Sequence, residues 1–235
     1  MLSKSILYKI QRFQLIKDLE ICTFNLLDAK VASNHKISRI ELCEKKDLGG
    51  ITPRREIIKE SLQLGTPIHP IIRPRGGDFN YTNREVDIML DDVSFCRDNQ
   101  CSGIVFGFLN KKDDVDMSLC RKIIKVSGNM SLTFHRAFDK TRHPLESMEK
   151  IIDLGFDRIL TSGQKSNAVT GLNLINTLTE KSNGRISIMP GAGVRSSNID
   201  ILLKNNKISE FHSSCYINNL FSVEELNRLI KKLKL

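Results

Sequence analysis

With 235 residues, 40% of them hydrophobic and 27% charged, the chain has the length and apolar content of one large domain, and it carries no linker or low-complexity joint. The formal charge of +9 does not make it a nucleic-acid binder, because the lysines are spread along the chain with no stripe of aromatic and basic residues. No segment is apolar and long enough to span a membrane, and six cysteines without paired short spacing (Cys22, Cys43, Cys96, Cys101, Cys120 and Cys215) fit a reducing cytosol.

Residues 1–18 read as a basic extension. Ile6, Leu7, Ile10, Phe13 and Ile16 recur at roughly helical spacing, without the continuous apolar core or small-residue cleavage site of a signal peptide, which predicts an extra N-terminal helix. From there, residues 19–235 form the domain proper. Short apolar strands are expected at 19–23, 39–42, 68–72, 103–108, 131–135, 158–161, 187–189 and 210–212. Amphipathic helices are expected at 54–64, 83–98, 117–126, 144–154, 171–181, 196–205 and 222–234. Eight strands, with no glycine-rich dinucleotide turn after the first, predict a single-domain α/β fold, a (β/α)8 TIM-type barrel rather than an open doubly wound sheet.

Period-two reading sorts the strand faces. Glu20 and Cys22 share one face of the first strand, Glu41 and Cys43 of the second, His69 and Arg73 of the third, and Thr133 and His135 of the fifth; His212 continues the set in the eighth. Ile21, Ile40 and Leu42 take the opposite face. If that apolar face packs on helices, the polar set points into the barrel and its C-terminal mouth, where barrel proteins place their chemistry. Inward charges are costly unless paired, so Glu20 and Glu41 beside Arg73 are either a buried structural ion-pair cluster or include a general base.

Several strand ends carry polar turns, that after the sixth being Thr161-Ser162-Gly163-Gln164-Lys165. After the third, Gly76 and Gly77 permit positive φ, so that Arg73, Arg75 and Asp78 can gather round something small and anionic; the alternative is a hairpin-like turn of solvated charges. After the fifth, His135, Arg136 and Asp139 offer an acid or base, a cation and a carboxylate on one turn, although a histidine between phenylalanines also suits a hydrogen-bonded core position. Gly191 and Gly193 after the seventh, followed by a helix start near Ser196, offer backbone amides to a phosphate or carboxylate, or else are a helix entry capped by Ser196 or Ser197. Ser213 and Ser214 after the eighth would complete such a site. Cys22 and Cys43 end adjacent strands on one face, within bridging distance of a soft ion; two thiolates suit Cu(I), and two small buried hydrophobes are the competing reading.

Taken in order, Leu19-Glu20-Ile21-Cys22, Ile40-Glu41-Leu42-Cys43, residues 68–79 with Arg-Pro-Arg-Gly-Gly-Asp-Phe, residues 132–139 with Thr-Phe-His-Arg-Ala-Phe-Asp, and residues 159–165, 190–195 and 211–214 resemble the CutC copper homeostasis protein family. The resemblance implies a TIM-type barrel, a cytoplasmic location and a homo-oligomer, a dimer being favoured. It also implies Cu(I) binding, with the family's cysteine ligands matching Cys22 and Cys43, and no established reaction. Thr23 stands where many bacterial members have a further cysteine, so Cys215 supplies a third thiol only if the last loop folds inward. The segment after Ser214 is shorter than is typical. Three functions follow as expectations: Cu(I) handling at the mouth; an enzyme acting on a small phosphorylated or carboxylated metabolite, with His135 and Glu41 or Asp139 moving protons; or an interaction protein without catalysis.

Overall fold

In a computed structural model, which describes residues 17–235, eight short parallel strands follow one another round a TIM-type barrel. They are β1 (Asp18–Thr23), β2 (Arg39–Leu42), β3 (Ile68–Pro70), β4 (Gly103–Phe106), β5 (Ser131–Phe134), β6 (Arg158–Thr161), β7 (Ser187–Pro190) and β8 (Glu210–Ser213). Outside them lie α1 (Leu26–Ser33), α2 (Arg55–Ser61), α3 (Asn83–Asp98), α4 (Met117–Ser127), α5 (Pro144–Asp153), α6 (Leu172–Ser182), α7 (Ile199–Leu202) and α8 (Val223–Leu233). The helix expected near the N-terminus lies outside the described residues, except that Asp18 already belongs to β1. No helix among the described residues is long and apolar enough to cross a membrane.

Local chemistry sets the element ends. Thr82 and Glu85 form a reciprocal capping box that starts α3, Pro144 occupies the first turn of α5, and Ser222 accepts the Glu225 amide to start α8. One expected helix needs correction, and two elements are additional. The segment 26–33, for which no element is expected above, is a helix. The helix expected at 196–205 is reduced to the single turn of α7, because Ser196 is bound to Glu225 and Asn198 turns back on the loop (2.9 Å from the Arg195 amide, 2.8 Å to Gly193 O). Between β8 and α8 the chain forms a small hairpin, β9 (Tyr216–Ile217) with β10 (Leu220–Phe221), turned by Asn218 and Asn219 at positive φ.

The hydrogen-bonded ladders fall into two halves, β3-β2-β1-β8 and β4-β5-β6-β7. Along the β3–β4 seam a single bridge pairs Ile71 with Val105, and the Ile72 amide donates to Val105 O (2.8 Å). Along the β7–β8 seam side chains do the work: Ser213 Oγ donates to Val194 O (2.8 Å) and receives from Arg195 Nη1 (3.1 Å).

The main apolar core lies between strands and helices, where Leu19, Ile21, Ile40 and Leu42 meet Ala29, Ala32 and Ile58. Full burial of each large aliphatic side chain stabilises the fold by about 1.5–3 kcal/mol. The barrel interior is charged. Arg39 joins Glu20 (2.6 Å) and Glu210, and Arg158 joins Glu210 (3.0 Å), all of them buried or nearly so. The expected face assignment therefore holds, and the interior acids of β1 and β8 are paired through Arg39 rather than through Arg73.

Candidate functional site

A pocket of about 350 Å³ opens at the C-terminal end of the strands. On its wall stand Cys22, Glu41, Cys43, Arg73, His135, Arg136, Asp139, Gly193, Arg195, His212, Ser213 and Ser214, with Phe24, Leu48, Phe79 and Leu160 as apolar surface. It thus gathers most of the residues expected at the mouth.

Cys22 is the last residue but one of β1, and Cys43 follows β2 directly. Their Sγ atoms lie 3.7 Å apart, both residues are buried and both thiols are free. That separation is far longer than the roughly 2.05 Å of a disulfide. Glu41 brings a carboxylate oxygen into the same cluster. The hydrogen bond between the sulfurs, with burial, pushes the Cys22 thiol up, and burial pushes Cys43 to about 11. Two converging soft donors fit Cu(I), which then has to displace thiol protons. Thr23 is buried with an unpartnered hydroxyl. Cys215 packs in the main core with Sγ 3.7 Å from Ser213 Oγ, so it does not join the thiol pair.

Behind the thiols His212 sits between two carboxylates, with Nδ1 2.7 Å from Glu20 Oε1 and Nε2 3.7 Å from Glu41 Oε2. Burial opposes charge on the imidazole, but the Glu20 hydrogen bond and the Glu41 carboxyl outweigh it and raise the histidine. Burial likewise opposes charge on Glu20, and there Arg39 and His212 win, holding the carboxyl well below its usual range. Glu41 goes the other way: its burial, despite His212, raises it. It is therefore the acid of this cluster most ready to hold a proton.

Arg73 is buried, yet its guanidinium hydrogen-bonds only backbone carbonyls: Nη1 donates to Leu48 O and Gly50 O (both 2.9 Å) and Nη2 to Gly77 O (3.1 Å). Its Nε has no partner, and among the described residues no carboxylate pairs with it. Arg195 is half-buried and likewise has no carboxylate partner among the described residues, donating to Val194 O (2.8 Å), Ser213 Oγ (3.1 Å) and Tyr216 O (3.1 Å). Arg195 is not among the residues expected at the mouth; its signal in the sequence is the arginine that closes the turn Gly191-Ala192-Gly193-Val194-Arg195. Arg136, by contrast, is paired with Asp139 (2.9 Å).

His135 caps the 3-10 turn Arg136–Lys140, its Nδ1 accepting the Ala137 amide (3.3 Å). The ring hydrogen is thereby assigned to Nε2, which is buried and has no partner. Burial, reinforced by Arg73, lowers this histidine to about 3, so the ring is neutral. Gly107 makes room for it: a Cβ there would lie 2.8 Å from Nδ1.

Other expected residues take structural posts. Asp139 accepts from Thr161 Oγ1 (2.5 Å), the Ser162 and Gln164 amides (3.0 and 3.1 Å), Ser162 Oγ (2.9 Å) and Arg136, so its lone pairs are committed to clamping the β6 turn. Arg75 and Asp78 leave the mouth. Arg75 binds Glu85 (2.6 Å), Asp78 (2.9 Å) and the Asn80 carbonyl (2.9 Å) and stacks over Tyr81, stapling the β3–α3 loop. Gly191 is not on the pocket wall and its amide donates to Thr161 O (2.9 Å), while the Ser196 amide donates to Glu225 (2.6 Å). The backbone anion cradle expected at this turn is thus partly spent, and what the turn delivers is the Arg195 side chain.

Residues 17–217 match the sequence pattern of the CutC family. A CutC family protein of Pasteurella multocida is 42% identical over 83% of this chain and 81% of its own length. The copper homeostasis protein cutC homolog of Homo sapiens is 38% identical over 83% of this chain and 72% of its own. A crystal structure assigned to copper homeostasis protein CutC from Streptococcus agalactiae superimposes with a TM-score of 0.80 at 30% identity, covering 84% of this chain and 98% of that one.

Proposed function

The chain belongs to the CutC family, and from that premise we propose that it is a copper homeostasis protein that binds Cu(I) at its barrel mouth through Cys22 and Cys43. The observation that carries this reading is the 3.7 Å approach of two free thiols on the pocket wall. Soft sulfur donors select Cu(I) over hard divalent cations, and reduced thiols go with a cytoplasmic location. Glu20, Glu41 and His212 are the charged surroundings, which hold the strand ends that carry the sulfurs. The reading extends to a homo-oligomer, a dimer being favoured, which light scattering on the purified protein measures directly.

The test is an anaerobic Cu(I) titration against a competing chelator, on the wild type and on the Cys22→Ser, Cys43→Ser double variant. Loss of tight binding in the variant supports the assignment; equal affinity in both ends it.

A second reading is favoured by one observation that copper does not need: Arg73 is a buried cation with no carboxylate partner among the described residues. In that reading the mouth is the active site of an enzyme acting on a small phosphorylated or carboxylated metabolite. Glu41, raised by burial, is then the carboxyl that exchanges a proton with the ligand, and His135 is a hydrogen-bond donor; Asp139 is already committed to its clamp. Incubation of the protein with a metabolite extract, followed by NMR, decides it: consumption of one anion that stops in Glu41→Gln supports the enzyme, and no consumption removes it.

A further inference from the structure

We infer that Arg73, His135 and Arg195 form an oxyanion subsite in the mouth, for the phosphate or carboxylate group of a small organic ligand. The inference rests on the pocket of the second reading and needs no turnover.

Three independent features point to it. First, a guanidinium taken out of water without a counter-charge costs several kcal/mol, and carbonyl partners return only part of that. Arg73 is in this position, with its Nε unpartnered as well. Second, His135 fixes one ring nitrogen on the Ala137 amide and leaves the other, a buried N–H donor, without an acceptor. A neutral donor of this kind binds an oxyanion without adding a charge that burial would resist. Third, Arg195 reaches the same pocket from the β7 turn, and among the described residues it has no carboxylate partner either. Among the described residues, Arg73 Nε and His135 Nε2 thus remain donors without acceptors, and no carboxylate neutralises either guanidinium.

Placement supports a single subsite. Phe79 links Arg73 and His135 physically: the Arg73 Cζ lies 5.0 Å from its ring centroid, and the His135 ring centroid 4.9 Å. Arg73 is also close enough to His135 to act on its charge. The remaining wall is apolar at Phe24 and Leu160. A volume near 350 Å³ holds on the order of ten non-hydrogen atoms, at about 30 Å³ for each water-sized group. The ligand class is therefore a short organic anion with one charged end and a compact body.

The experiment is isothermal titration of the whole chain with glycerol 3-phosphate, inorganic phosphate and acetate as probes. Glycerol 3-phosphate or one of the bare anions is expected to bind the wild type. Each lost charge-assisted hydrogen bond weakens binding by about ten- to a hundredfold, so Arg73→Gln and Arg195→Gln should each lower affinity by that factor and His135→Phe by somewhat less. Arg185→Gln removes the same formal charge from an exposed pair with Glu149 and should change nothing. Far-UV and near-UV circular dichroism report folding. If Arg73→Gln fails to fold, Arg195→Gln and His135→Phe decide the matter. Binding of none of the probes, an equal loss in Arg185→Gln, or unchanged affinity in the folded pocket variants overturns the subsite. Binding without any consumption of metabolites leaves it standing while the enzyme reading falls. Cu(I) affinity measured on the same variants separates it from the thiol site.

Discussion

Glu20 Oε1 and His212 Nδ1 meet at 2.7 Å on neighbouring strands, in register and buried, so the barrel is joined at β1 and β8 by a charged hydrogen bond as well as by the backbone ladder. The same carboxylate binds Arg39, which also serves Glu210. One guanidinium thus bridges two interior acids, with His212 and Arg158 completing their pairing.

Removing it should be severe. Arg39→Met leaves Glu20 and Glu210 buried with their main cation gone, and about 3–5 kcal/mol of stability should be lost. Urea unfolding at pH 7 measures this; a loss below 1 kcal/mol would show that water reaches the interior acids.

Stability should decline on both sides of neutrality. His69 and His135 are lowered by burial to about 4 and about 3 from the ordinary 6.5. The unfolded chain therefore takes up protons that the folded chain refuses, and stability falls as pH drops from 6.5 towards those values, by about 2 kcal/mol per histidine at pH 5. His212 has the opposite sign: raised by Glu20 despite its burial, it contributes stability that is present below 6.5 and is lost as pH climbs through its folded value. Urea midpoints across pH 5–9 check both limbs. His69→Asn should flatten the acid limb and His212→Gln the alkaline one.

Gly50 has φ +88°, and a Cβ there would lie 3.2 Å from Cys43 Sγ. Gly50→Ala should cost about 1 kcal/mol or more in backbone strain and disturb the thiol pair, lowering Cu(I) affinity without touching a sulfur. Chelator competition on this variant gives the answer, and unchanged affinity would mean that the pair tolerates displacement.

Asp139→Asn tests the clamp. Turning an acceptor that gathers two amides, two hydroxyls and Arg136 into an amide should cost about 2 kcal/mol and speed hydrogen exchange at Ser162 and Gln164. Were Asp139 instead the proton carrier of an enzyme, exchange at these amides would stay slow while turnover vanished.

Much of this was legible in the sequence, for identifiable reasons. Strand faces follow a strict period of two, so Cys22, Glu41, Cys43, Arg73 and His135 could be placed at the mouth from their positions alone. Helix 26–33 was not, because Leu27 is 70% exposed and spoils the apolar periodicity that marks a helix. Arg75 and Asp78 were misplaced because two glycines separate strand from helix there, and the direction of a chain after such a turn depends on partners, here Glu85 and Tyr81, that lie further along. Spacing likewise gave no sign that Asp139 would be saturated by the β6 turn.

The division of the ring into two four-stranded halves gives the two candidate ligands different mechanical effects. Cys22 and Cys43 both belong to the half built from β3, β2, β1 and β8, so an ion held between them fastens that half to itself. Arg73 stands on the same half, but His135 and Arg195 stand on the other. An oxyanion gripped by all three would suture the halves across their weakly bonded seams, slowing amide exchange at Ile72 and Ser102, which bond across the β3–β4 seam, where copper would leave it unchanged.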